Sequence, residues 1–135
     1  MRELIHRRFT ELARDGQSAD RWNLLHPESP PRRAYVAEAL GGLSGPVIAA
    51  TDYVKAYADQ IRAWVPGPYH VLGTDGFGRS DTRERLRDYF EVDRHWVALK
   101  ALHALAQAGS LPRKKMAEAI RKYGLRVDKP EPAKD

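Results

Sequence analysis

The chain contains no cysteine, which excludes disulfides, thiolate metal sites and cysteine nucleophiles and fits a reducing compartment. It also has no apolar run near the roughly 20 residues that a membrane-spanning helix requires. The opening MRELIHRRF is charged and carries neither an apolar core nor a small-residue cleavage site, so it does not read as a secretory signal, and a cytoplasmic location is the default expectation. His6, His26, His70, His95 and His103 show no HExxH or related ligand spacing, which argues against a zinc or iron site. Ser80 sits in GRSDT, without the flanking glycines of a nucleophile elbow. The glycines of GTDGFG run GxxGxG, the wrong order for a dinucleotide fingerprint, and no lysine and threonine follow as a phosphate-binding loop needs.

What is present suits one globular domain. The 135 residues are enough to bury a core and too few for two ordinary domains. A single domain over residues 1–127 is expected, with the polar, proline-bearing 128–135 as a disordered tail. The formal net charge of +5 is uneven. Residues 110–135 hold eight basic and four acidic groups, while residues 34–109 hold eight and nine. A basic carboxyl-terminal end is usually a solvated face. It also leaves open a small basic binding module, in which Arg113, Lys114, Lys115, Arg121 and Lys122 face nucleic acid or an acidic protein.

Periodicity places the elements. Leu4, Ile5, Phe9, Leu12 and Ala13 predict a helix over Met1–Asp15 stopped by Gly16. Residues 17–33 read as a long connection with Trp22, Leu24 and Leu25 plugged back onto the domain. A short helix over Arg33–Leu40 follows, closed by Gly41 and Gly42. Val47–Ala50 reads as a strand, Thr51 and Asp52 as caps for a helix over Tyr53–Val65, and Tyr69–Leu72 as a second strand. Strand, helix and strand in that order form a parallel α/β unit. Ser80 or Asp81 is expected to cap a helix that runs into Phe90, and Asp93 to cap His95–Ala108, with Trp96, Leu99, Leu102, Leu105 and Ala106 inward. Ser110 is expected to cap the last helix, which Gly124 stops. Two strands are few for a parallel sheet, which needs neighbours and cover on both faces. Either residues 1–33 hide a strand, or the missing strands belong to more polypeptide or a second copy. Unpaired edges predict self-association or poor solubility.

Both strands end in a threonine and an aspartate, Thr51 with Asp52 and Thr74 with Asp75, at the edge where open α/β sheets carry their functional loops. Asp75 disfavours bound phosphate, although Arg79 and Arg83 could hold an anion at the rim. Phe77 between two glycines is an exposed aromatic that calls for cover.

TELARDGQ, RWNLLHP, ATDYVKAYADQIR, VLGTDGFGRSDTRERLRDYFEVD and AEAIRKYGL together resemble the carboxyl-terminal domain of the homodimeric, bacterial-type decarboxylase component of pyruvate dehydrogenase, in the transketolase-like superfamily. The likeness runs from about Phe9 to Val127, and GTDGFGRSD is its most specific part. It implies a three-layer α/β domain with a small parallel sheet short of its first strands, since MRELIHRR stands where the family has a strand. A truncated gene, a fragment and a stand-alone paralogue each fit that difference. In the full-length family enzyme, thiamine diphosphate and magnesium sit in other domains, and acetyl passes from pyruvate to lipoyl groups on a dihydrolipoamide acetyltransferase core. The resemblance thus implies a structural, dimer-interface domain that binds no cofactor itself and is inactive alone. Its expected partners are the remaining domains or a second subunit, with no membrane and no nucleic acid. The interface candidates are Asp52, Tyr53, Asp75, Phe77, Gly78, Arg79, Ser80 and Arg83.

Overall fold

A computed structural model of the chain describes residues 8–76 and 80–134. Among them, helix α1 (Phe9–Leu25) carries Leu12, Ala13, Gly16 and Ala19 on its buried stripe, positions that share one side of a 3.6-residue repeat. Gly16 therefore lies inside the helix instead of ending it. The indole of Trp64 occupies the place of its missing side chain, so that a Cβ there would overlap the ring and lie 2.7 Å from Cε3. The indole Nε1 donates to Asp20 Oδ2 at 3.0 Å, one turn further along α1. A mid-helix glycine costs about 1 kcal/mol in propensity. Burying the ring face offsets it.

The extension of α1 revises the predicted connection. Residues 17–25 are helical, and Leu24 and Leu25 are not plugged in: they are 79% and 54% exposed. Trp22 is half-buried, stacked on His26 at 4.3 Å and covered by the Arg32 guanidinium at 4.1 Å. Asn23 accepts from the Arg32 amide at 2.7 Å and donates to its carbonyl at 2.9 Å, closing the proline-rich turn. Asp15 then accepts from the amide of Tyr35 at 2.6 Å. Tyr35 opens α2 (Tyr35–Leu40), so that a carboxylate of α1 serves the free amino end of the next helix.

Strands β1 (Val47–Ala50) and β2 (Tyr69–Leu72) stand where the apolar runs predict, parallel, with Val47 opposite Tyr69 and Ala50 opposite Leu72. They form the one sheet among the described residues, and residues 8–33 add no strand to it. Alternation divides its faces. Val47, Ala49, Tyr69 and Val71 pack into the main core with Leu12, Val36, Leu40, Ile61 and Val65. On the other side both strands touch α5 (Arg94–Gln107). His70, in the intervening register, has its pKa lowered chiefly by burial, with Lys100 and His103 of α5 adding to the shift. Helices on both faces of a parallel sheet give an α/β layer arrangement.

Three capping expectations are corrected. Thr51 Oγ1 accepts from the Tyr53 amide at 3.1 Å, a local turn that delays α3 until Lys55. The expected Tyr53–Val65 helix is α3 (Lys55–Asp59) followed by a 3-10 turn over Arg62–Trp64. Thr82, not Ser80 or Asp81, caps α4 (Arg83–Tyr89), while Asp81 accepts from the Thr82 amide at 2.7 Å. Ser110 donates its amide to Leu105 O at 2.9 Å and so closes α5, while Pro112 precedes α6 (Arg113–Tyr123) without a side-chain cap. Asp93 does cap α5, accepting from the amides of His95 and Trp96, and Gly124 ends α6 in the left-handed conformation. Only Ala104 of α5 is fully buried; the predicted inner residues from Trp96 to Ala106 are half-covered. Within residues 128–134, Lys129 is bonded to α4 and Pro132 is buried. No helix among the described residues is long and apolar enough to cross a membrane.

Tyr69 ties strand to crossover: its hydroxyl donates to Ala58 O at 2.7 Å, and burial, with the nearby Asp59, raises its pKa from 10.0 to about 12. The folded state therefore holds this proton more tightly than the unfolded chain does. The stabilisation is complete below pH 10 and is lost as pH climbs toward 12. Tyr69→Phe should cost about 1–2 kcal/mol at neutral pH, from the unpaired carbonyl, and should flatten the fall in stability between pH 10 and 12. Urea titrations at neutral and alkaline pH check both.

Candidate functional site

At the carboxyl edge of the sheet the two strands leave as loops that bind each other. The Thr51 amide donates to Leu72 O at 3.0 Å, and the Thr74 amide to Tyr53 O at 2.8 Å. Thr74 Oγ1 donates to Asp52 O at 2.8 Å. Asp75 Oδ1 accepts from the Lys55 amide at 3.0 Å, so the carboxylate leaving β2 serves the start of α3, the helix that follows β1. Gly73 permits this approach. A Cβ there would lie 2.7 Å from Lys55 N and 2.8 Å from Tyr53 O, main-chain atoms that cannot move aside.

Helix α4 closes the junction from above. Arg87 donates to Asp52 Oδ2 at 3.1 Å across the strand ends. Between them lies a cleft of about 490 Å³ with Thr74, Gly76, Asp81, Arg83, Leu86 and Phe90 on its walls. The cleft mixes apolar surface with paired charge.

The expected residues divide as follows. Asp52, Asp75 and Arg83 come together around this junction, with Asp75 turned to α3. Tyr53 is 67% exposed beside Val54 at 53%, and its ring leans on Tyr57 at 5.2 Å. Ser80 is exposed and borders a smaller recess with Arg85 and Tyr89. Phe77, Gly78 and Arg79 lie outside the described residues. Sequence reasoning missed Arg87, Leu86 and Phe90. Arg87 stands four residues after Arg83, hence on the same side of α4, and that spacing was the available signal.

Chemically the edge is a connector. Among the described residues none of its polar groups forms a nucleophile and base pair, and no histidine lines the cleft. Among the described residues no three His, Cys, Asp or Glu are gathered as a metal ion would need. Asp52 is engaged by Arg87, Asp75 by a main-chain amide, and α3 is a single short turn whose amino end Asp75 already fills. The described residues therefore do not fit thiamine diphosphate or magnesium, and no chemical step through either is assigned to them.

The family profile described as the Transketolase-like TK C-terminal domain matches residues 8–93. The chain is 62% identical over 124 residues to the "Pyruvate dehydrogenase E1 component" of Cupriavidus necator, 61% over 125 residues to that of Pseudomonas aeruginosa, and 51% over 125 residues to that of Escherichia coli K12. Each alignment takes in 92% of this chain and 14% of the relative. The matched region contains both strands, their interlocked exits and α4, and the chain belongs to the transketolase-like C-terminal domain family.

Proposed function

We propose that this chain works as the carboxyl-terminal structural and dimer-interface domain of a pyruvate dehydrogenase E1-type decarboxylase, docking through the carboxyl edge of its sheet. The observation that supports it most is the make-up of that edge. Main-chain and side-chain bonds lock the two loops together, no reactive constellation is assembled among the described residues there, and Tyr53 and Val54 are left uncovered beside a charged, half-apolar cleft. An exposed aromatic on a rigid frame is the composition of an interface anchor. In such an enzyme the other domains hold thiamine diphosphate and magnesium and decarboxylate pyruvate in the cytoplasm. The acetyl group then passes to lipoyl groups of an acetyltransferase core. This domain holds subunits and domains in register and turns over no pyruvate by itself. Asp52, Tyr53, Ser80 and Arg83 are its contact residues, together with Phe77, Gly78 and Arg79 of the glycine loop, while Asp75 fixes the loop's shape.

The test is reconstitution. The Cupriavidus necator E1 component lacking the segment that corresponds to this chain, mixed with the chain, should sediment as one complex. Separate boundaries at micromolar concentrations would count against the proposal.

A further inference from the structure

The carboxyl-terminal segment makes contacts that the docking reading does not use. Lys129 reaches α4 from some 40 residues away, and its Nζ donates to the carbonyls of Asp88 and Tyr89, the latter at 2.8 Å. These are carbonyls of the last turn of the helix, and a cation there meets the negative end of the helix dipole. The same ammonium stands 5.3 Å from the ring centre of Trp96, 5.7 Å from that of Tyr89, and 3.9 Å from Glu91 Oε1. Its side chain is only 14% exposed. Two aromatic faces, a carboxylate and two carbonyls are a complete seat for an ammonium group.

The backbone around that seat is also unusual. α4 ends in a turn where the Val92 amide donates to Arg87 O at 2.9 Å and the Glu91 amide to Asp88 O at 3.1 Å. Glu91 occupies its left-handed position with φ of 63°, where glycine is the ordinary choice. A seven-residue helix with a strained exit does not hold itself together in water.

Three residues beyond Lys129, Pro132 is buried and lies against Gly76, which lines the cleft. Gly76 has φ of 135°, and a Cβ there would lie 2.5 Å from Pro132 O. The segment thus touches the end of α4 with Lys129 and the exit of β2 with Pro132.

We infer that residues 128–134 are a latch, which closes α4 onto the carboxyl edge of the sheet by seating Lys129 at the helix end and Pro132 against Gly76. With the latch seated, the two walls of the cleft are held at fixed separation. When it lifts, the last turn of α4 opens and the 74–76 loop loses its cover.

Hydrogen exchange on the full 135-residue chain tests this. Lys129→Met removes the ammonium and keeps the length of the side chain. Amides of residues 86–92 should then exchange about tenfold faster or more, while those of α1 and α2 keep their rates. Lys129→Arg should restore part of the protection. A chain ending at Pro130 keeps the lysine and loses Pro132, so it should free residues 74–76 and leave 86–92 protected. That variant carries the test if Lys129→Met fails to fold. Unchanged exchange at 86–92 in Lys129→Met would overturn the latch, as would acceleration spread equally through α1 and α2. Unchanged exchange at 74–76 in the shortened chain would do the same.

Discussion

Gly16→Ala should destabilise the chain by about 2 kcal/mol or more, the opposite sign to what helix propensity alone gives. In an open helix the change gains about 1 kcal/mol, because alanine is the best helix former and glycine among the poorest. Here the new methyl group would fall inside the indole of Trp64. That ring cannot simply turn away, since Asp20 accepts its Nε1 proton and its other contacts are with the main core. Overpacking of this kind costs about 1–3 kcal/mol, and more where neither partner yields. Denaturant unfolding of the wild-type and variant chains decides the sign. Removing the ring should expose the cause: in a Trp64→Leu background the added methyl should cost much less, a non-additivity that marks direct contact.

Gly73→Ala is the second large effect, and it acts on the candidate site itself. The clash at Gly73 is with main chain, at 2.7 Å from Lys55 N, 2.8 Å from Tyr53 O and 2.9 Å from Lys55 Cα. Relief requires the β1 and β2 exits to separate. The bonds from Thr74 to Tyr53 and from Lys55 to Asp75 lengthen as they do so. The expected loss is about 3 kcal/mol. Docking to the rest of an E1-type enzyme should weaken with it, because the loops that carry Asp52 and Tyr53 lose their fixed spacing. Unfolding by urea measures the first consequence and sedimentation of the mixed components the second.

These two glycines also mark how far sequence reasoning reaches. Gly16 reads locally as a helix stop, because nothing within a few residues of it announces a partner. The partner is Trp64, contributed by the crossover between the strands, and only the tertiary fold brings the two together. Capping divides in the same way. Asp93 and Gly124 act on neighbouring residues, and local pattern finds them. Asp15 caps α2 and Asp75 serves α3 from 20 residues away in each case, so the nearer candidates Thr51 and Asp52 looked sufficient and were not. The strands were legible because a brief apolar run flanked by glycine and proline has few other readings.

The candidate site was legible in outline. The paired Thr-Asp motifs pointed to the carboxyl edge of the sheet, and there the structure bonds Thr74 to Asp52 and sets Asp75 on the Lys55 amide. Arg87 escaped attention among the arginines of α4 until the helix set it over Asp52. For the tail, composition records only that DKPEPAKD is polar. It does not show that Lys129 has a seat between Tyr89 and Trp96.

The most direct measurement is the affinity of this chain for an E1 component that lacks the corresponding carboxyl-terminal segment, by titration with sedimentation as the readout. A complex with a dissociation constant of roughly micromolar or tighter is expected, weakened at least about tenfold by Tyr53→Asp, which places a charge in the contact. Binding that Tyr53→Asp leaves untouched would contradict the docking edge. No binding at all would contradict the proposed role.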